Sequence, residues 1–336
     1  MKVSLIMPVF NGESYIADSI YSALDQSLVD FEVIVVNDGS TDNTSQILAR
    51  IADENHNLHV INKDNEGPAK AREVGALRAT GEFLVFLDGD DLIYQNSLVI
   101  LYNLAKANNL DIGIYNYKVF NENIDVTGLC ENKDIALDKT YLGKDFLSDN
   151  MYTAYNWDKI WRRDFYINHV LSGFSGFYYE DQLPVLKGLF HAKRVAKLNI
   201  ECVAYRNNEN STTRRKITTE HYNALRVVIL DYIKFLTSNS LLNSNCALRK
   251  LGHMRALLND HRNELKLETD EEIRSAYLDL RKNLDLNYNG FFRLARKVGI
   301  INSTYLISNE KLLLIVFCVR KFISNFKSKL TVKHVR

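Results

Sequence analysis

Only 3 prolines and 4 cysteines occur in 336 residues. So few prolines leave no room for a proline-rich linker, and 15 glycines without a repeat exclude a collagen-like segment. The cysteines, Cys130, Cys202, Cys246 and Cys318, are scattered and form no C-x-x-C pair. Four free thiols in a reducing compartment are expected. The eight histidines show no H-E-x-x-H spacing, so none is assigned to metal. Long apolar runs are missing as well: Leu312 to Val319 is eight residues, against the roughly 20 that span a bilayer. The start, MKVSLIMPVFNGE, is broken by Pro8 and Asn11, too short for a signal-peptide core and better read as a first strand. A cytoplasmic protein is expected. Excess charge is also lacking, with 42 Lys+Arg against 41 Asp+Glu, which argues against a nucleic-acid binder working by bulk positive charge.

The near-zero sum conceals an uneven distribution. Residues 1–100 carry 6 Lys/Arg against 16 Asp/Glu, a net of −10, whereas residues 311–336 carry 7 Lys/Arg and no acid. An acidic front and a basic tail need separate explanations. Apolar residues at 46% supply core for one large domain or two.

The first hundred residues alternate strand and helix patterns. Strands are expected at Val3–Met7, Phe31–Val36, Leu58–Ile61 and Glu82–Leu87, the second and fourth being near-continuous apolar runs, as in strands covered on both faces. Helices are expected at Ser14–Gln26, at a segment capped by Ser40 or Thr41 and running to Glu54, and at Pro68–Ala79. This alternation predicts an α/β fold with a mostly parallel, doubly wound sheet. Further strands are expected at 112–120 and 195–205. Beyond about residue 216 the pattern is helical, with Leu225, Val228, Ile229, Tyr232 and Ile233 on one face and Leu248, Leu251, Met254 and Leu258 on another. The expected division is an α/β domain over 1–216, in halves 1–110 and 111–216, then a helical region over 217–336.

In an open parallel sheet, ligands bind beyond the carboxyl ends of the strands. Three such ends carry polar clusters: Pro8-Val9-Phe10-Asn11, Asn37-Asp38-Gly39-Ser40 and Asp88-Gly89-Asp90-Asp91. Asp38 and the Asp88–Asp91 cluster are therefore expected to converge. Three carboxylates within four residues repel one another unless a cation intervenes, and hard oxygens suit Mg²⁺ or Mn²⁺, which also hold a ligand's phosphates. The alternative is an acidic helix start on a solvated loop. No G-x-G-x-x-G follows the first strand and no G-x-x-x-x-G-K-[ST] occurs, so a dinucleotide cofactor and a P-loop are disfavoured. A metal-dependent site for a nucleotide diphosphate remains.

Those residues carry a resemblance. MPVFNGESYIADSIYSALDQS, FEVIVVNDGSTDNT, NEGPAKAREVG and FLVFLDGDD, in this order and spacing, resemble the family 2 glycosyltransferases of the GT-A fold. Weaker matches are NWDKIWRRDF at 156–165, YEDQLPVLKGLF at 179–190 and YRNNENSTT at 205–213. The resemblance implies that Pro8, Val9, Asn11 and Asp38 line the nucleotide-base pocket, with Asp38 accepting from the base imide. It implies that Asn65, Gly67 and Arg72 close over the nucleoside and that Lys70 reaches a phosphate. Asp88 would meet the ribose, Asp90 would be the principal metal ligand of the D-x-D pair with Asp88, and Asp91 would assist. Glu73 departs from the Asn common at that place. Asp181 is implied as the general base, with Glu180 orienting it or the donor sugar; a carboxylate placed at a hydroxyl can take its proton as attack develops. Read without the family, Glu180-Asp181 is more simply a solvated helix start. Arg206, Ser211 and Thr213 are candidates for closing over the diphosphate or acceptor, or else a polar turn. Trp157, Lys159 and Trp161 are an acceptor platform or part of a core.

Leu312, Ile315, Val316, Val319, Phe322, Ile323, Phe326 and Leu330 follow helical spacing beside Lys311, Arg320, Lys321, Lys327 and Lys329. Such a tail either lies in a membrane interface or packs on the protein's own core. The leading expectation is an inverting, Mn²⁺- or Mg²⁺-dependent transferase moving a sugar from a nucleotide-diphosphate donor, UDP-linked, to a glycan or lipid-linked acceptor in surface-polysaccharide assembly. It would act in the cytoplasm, with peripheral contact at the inner membrane face through 311–336. The alternatives are a non-catalytic nucleotide-sugar-binding or membrane assembly module, and a sugar nucleotidyltransferase, for which MPVFNGES lacks the Gly-rich, Arg-containing loop.

Overall fold

The computed structural model describes residues 1–28, 30–121, 124–127, 137–150, 152–171, 178–207, 216–241, 245–268 and 270–287. The chain divides into two compact units, 1–147 with 151–216, and 148–150 with 217 onward. In chain order the first unit begins β1 (Val3–Val9), α1 (Ile16–Leu24), β2 (Phe31–Asp38), α2 (Thr44–Glu54), β3 (Leu58–Lys63), α3 (Pro68–Arg78) and β4 (Phe83–Phe86). It continues β5 (Leu92–Ile93), α4 (Ser97–Ala107), β6 (Ile112–Phe120), β7 (Leu137–Tyr141), α5 (Gly143–Asp149), β8 (Lys159–Arg162), α6 (Arg163–His169), α7 (Gln182–His191) and β9 (Val195–Arg206).

One sheet runs β3-β2-β1-β4-β8-β6-β9-β5, with β7 added on β9. Its first four strands are parallel, and all residues of β1, β2 and β4 are buried, as their apolar runs require. The second half is mixed: β8 lies antiparallel to β4 and β6, whereas β6 and β9 are parallel. Parallel order therefore brings four strand ends, with their loops at 10–15, 39–43, 64–67 and 87–91, to one edge of the sheet.

Helix α3 lies close on the sheet because its inner face is Ala71, Gly75 and Ala76; a methyl on Gly75 would collide with Ile6 of β1. Gly67 before it has φ 93°, a left-handed turn that favours glycine, and Pro68 opens the helix. Helix α2 begins at Thr44, later than a Ser40 or Thr41 cap predicts, because both residues are engaged with Asn11. Cys202 is a buried free thiol.

The second unit contains α8 (Thr219–Ser238), α9 (Asn245–Glu264) and α10 (Glu271–Asn287). Leu225, Val228, Ile229, Tyr232 and Ile233 are buried on α8, and Leu251, Met254 and Leu258 on α9, the faces read from the 3.6-residue period. Arg226 of α8 meets Asp270 at 2.6 Å. Among the described residues no helix is long and apolar enough to cross a membrane. The basic tail 311–336, Ser211 and Thr213 lie outside the described residues.

Candidate active site

The loops at the ends of β1 and β2 are stitched together by side chains. Asn11, at φ 51°, donates its N–H to Ser40 Oγ (2.9 Å) and accepts from Thr41 N at Oδ1 (2.8 Å). Gly12 N donates to Thr44 Oγ1, and Glu13 Oε2 accepts from Asn43 N and Nδ2. Pro8 and Val9 end β1 beneath this loop, and Val9 is buried. Glu13 belongs among the loop-forming residues, yet no sequence period marks it.

Asp38 ends β2 and is buried. Its Oδ1 accepts from Lys63 Nζ (2.7 Å) and Glu66 N (3.1 Å), and its Oδ2 from Gly67 N (2.8 Å). Three donors thus use most of the capacity of one carboxylate, so Asp38 first of all shapes the 64–67 loop. Asn65 sits against Gly39, where a Cβ would stand 2.7 Å from the Asn65 nitrogen and φ is 75°. Gly39 is therefore fixed as glycine by both space and backbone. Lys70 pairs with Glu73 of its own helix at 3.0 Å.

Beyond β4, Asp91 is fully buried, and its Oδ1 accepts from the backbone N of Arg206 at 2.8 Å. Arg206 Nε donates to the Asp90 carbonyl, and its guanidinium lies over the rings of Tyr15 and Phe120. Burial, then the charges of Asp90 and Asp88, push Asp91 well above the usual carboxylate range. Its buried Oδ2 has no hydrogen-bond partner among the described residues. No three His, Cys, Asp or Glu side chains form a closed cation cage among the described residues. An open set of one or two carboxylates, completed by water and phosphate oxygens, is nevertheless what Mg²⁺ takes in phosphate sites. The hard oxygens of Asp88 and Asp90, beside a carboxylate that burial and then its acidic neighbours have driven up, fit such an ion.

Arg72 joins this loop to the second acidic group. It is 5% exposed. Nη2 donates to Asp88 Oδ1 at 2.9 Å, and Nη1 to Glu180 Oε1 at 2.7 Å and Asp181 Oδ1 at 3.4 Å. The structure thus places Arg72 among carboxylates rather than in the 64–67 loop that it follows in sequence. A helix lined by Ala and Gly carries the guanidinium down to that depth. Asp181, the residue before α7, is also held by Asn156, from Nδ2 to Oδ1 (2.7 Å) and from N to Oδ2 (3.2 Å). Burial, opposed by Arg72, raises Asp181; burial and the charge of Asp181 push Glu180 up to about 7. Arg72, Asn156, Tyr166, Glu180 and Asp181 line one pocket.

The segment 157–161, which runs into β8, decides between the two readings of its tryptophans in favour of a core. Trp161 and Lys159 are fully buried and Trp157 is 4% exposed, so none of the three forms a platform. Lys159 Nζ bonds to the carbonyls of Thr153 and Tyr155 and pairs with the buried Asp158. Trp157 is sandwiched between Tyr155 (4.9 Å, 11°) and Tyr205 (5.5 Å, 14°). The exposed aromatic here is Tyr155, which sequence reasoning passed over because only the tryptophans drew attention.

Residues 4–170 match the model of "Glycosyl transferase family 2". An uncharacterized glycosyltransferase of Rickettsia bellii is 37% identical over 121 residues, 36% of this chain and 17% of that protein. The chain thus spans about a fifth of the length of such curated relatives. A cholesterol galactosyltransferase of Borreliella burgdorferi is 28% identical over 212 residues, 59% of this chain and 58% of that one. Among solved structures, residues 1–349 of S. aureus TarS in complex with UDP-GlcNAc align with a TM-score of 0.58 at 23% identity, covering 84% of this chain and 80% of that one. That likeness shows the fold, the GT-A architecture. Residues 4–170 are thus a glycosyl transferase family 2 domain.

Proposed function

We propose that the chain transfers a sugar, with inversion, from a UDP-linked donor to an acceptor hydroxyl of a glycan or lipid-linked saccharide in surface-polysaccharide assembly. One observation carries the reading: Arg72 ties Asp88, on the loop after β4, to Glu180 and Asp181 through bonds of 2.9, 2.7 and 3.4 Å. A carboxylate of the loop after β4 and a candidate base thereby share one guanidinium. The TarS complex with UDP-GlcNAc supports the donor class.

On this reading the loops at Asn11, Asp38 and Asn65–Gly67 bind the nucleoside, and Arg206 stands beside the 88–91 loop for the diphosphate. Asp90, with Asp88, would hold Mn²⁺ or Mg²⁺, which stabilises negative charge on a leaving diphosphate. Asp181 receives the proton of the acceptor hydroxyl as its oxygen bonds to the anomeric carbon and the diphosphate departs from the opposite face. Arg72 and Asn156 fix the Asp181 carboxylate so that its remaining lone pair points one way. Glu180 adjusts the charge beside it.

Incubating the purified full chain with UDP-, GDP- and TDP-sugars and Mn²⁺ tests this. Release of UDP is expected even without acceptor, as slow hydrolysis. Tight UDP binding with no turnover towards saccharide acceptors would instead support the non-catalytic binding module, and failure to bind any nucleotide would sink both.

A further inference from the structure

Two side chains beside the acidic pair are placed for something the chain itself does not supply. Asn156 is 3% exposed, and both of its N–H groups that are engaged point at Asp181. A carboxylate only accepts, so the amide must present Nδ2 to it, and Oδ1 is left over. That Oδ1 is buried without a hydrogen-bond partner among the described residues, although Asn156 lines the pocket. A buried acceptor in that state is a cost to the free protein unless a ligand's hydroxyl meets it. Tyr155, the preceding residue, is 42% exposed. Its rear face is locked on Trp157, its carbonyl is held by Lys159 Nζ at 2.6 Å, and its phenol is raised by burial, with smaller contributions from neighbours that include Asp181.

We propose that Tyr155 and Asn156 form the acceptor subsite, and that its occupant is a neutral sugar ring carrying two adjacent hydroxyls. The proposal rests on the transferase reading above and names its acceptor class. A pyranose has an apolar C–H face that lies against an aromatic ring, and rigid aromatics supply such contact with little loss of conformational freedom. One hydroxyl lies against Asp181 and its neighbour donates to Asn156 Oδ1. An anionic acceptor is disfavoured at this place. Arg72 is committed to three carboxylates and Lys159 to Asp158, while Glu73, Glu180 and Asp181 line the pocket.

The chain's two tryptophans, Trp157 and Trp161, both lie in this segment, so intrinsic fluorescence reports on it. The full chain, saturated with UDP and Mn²⁺, is titrated with the methyl glycosides of glucose, galactose, mannose and N-acetylglucosamine, and with glycerol 3-phosphate as the anionic probe. At least one glycoside is expected to give a saturable change. Its dissociation constant should rise about tenfold in Tyr155→Ala and in Asn156→Ala and stay within about twofold in Tyr155→Phe. No response to any glycoside, tighter binding of glycerol 3-phosphate, or equal binding by wild type and Tyr155→Ala would overturn the proposal. Tyr155 is exposed at the surface, so its variants carry the test should Asn156→Ala not fold. A parallel UDP titration separates the two readings: wild type that binds glycosides but not UDP counts against the transferase, not against this subsite.

Discussion

Two groups of acids meet across Arg72, and they are neutralised in different ways. The 88–91 loop receives a backbone N–H and one arm of the guanidinium, and among the described residues a buried oxygen of Asp91 still has no partner. The Glu180–Asp181 pair is compensated from within, by the other arm of Arg72 and by both N–H groups of Asn156. On the proposed reading, the first arrangement would be completed by a cation. The second would keep a proton near the point of exchange, with Glu180 pushed up to about 7 by burial and the charge of Asp181. Like side chains therefore serve unlike tasks because their surroundings differ, and each side of the contrast can be broken separately.

The largest effect is expected from Asp181→Asn, which keeps the shape of the pair and removes its base. Transfer should fall by about 10²–10⁴-fold with UDP-sugar affinity retained, read as kcat against donor dissociation constant. Near-normal turnover would show that the base lies elsewhere. Arg72→Met breaks the link itself. It leaves two half-buried carboxylates facing each other and should cost about 2–4 kcal/mol in urea unfolding, somewhat less than removing one partner from a fully buried ion pair.

Much of this contrast was legible in the sequence, and the reason is local. Buried parallel strands are continuous apolar runs, so β1, β2 and β4 announce themselves, and the polar residues after them must gather at one edge. Asp38 and the 88–91 acids were placed there on that ground alone. The carboxylate partners of Arg72 were not legible, because they lie 16, 108 and 109 residues away and no local pattern encodes them. Trp157 and Trp161 were ambiguous for another cause: the same aromatic side chain serves a core and a sugar platform. The buried Lys159–Asp158 pair, which ties the segment inward, becomes visible only in three dimensions.

On the other side of the contrast, Asp90→Ala should weaken the response to added cation more than it weakens folding. Transfer at saturating Mn²⁺ is expected to drop about 100-fold, with the Mn²⁺ titration flattened and the unfolding midpoint little changed. Dependence on Mn²⁺ equal to that of wild type would move the ion away from the 88–91 loop.

The smallest effect is on pH, and it sets rate and stability against each other. Burial, with Asp181 beside it, raises Glu180 from 4.5 to about 7, so between those values the folded chain keeps a proton that the unfolded chain has lost. Its contribution to stability is complete below pH 4.5 and is lost as pH rises through 7. Asp181, also raised by burial, adds to the same slope. Glu32, Asp42 and Asp270 are lowered and act in more acidic solution, where their stabilisation disappears as pH falls through their folded values. His191 and His261 are held below 6.5 by burial and oppose the slope in the lower part of the window. The informative quantity is therefore the difference between wild type and Glu180→Gln in urea midpoint at pH 5, 6, 7 and 8. Wild type should lose ground to the variant from pH 5 to 7, with the difference levelling off towards pH 8. Over the same range the transfer rate of wild type should climb, because Asp181 accepts a proton only when the pair is ionised. Parallel stability curves for the two proteins would show that Glu180 is ionised throughout, and the acidic pair would then differ from the 88–91 loop in place alone.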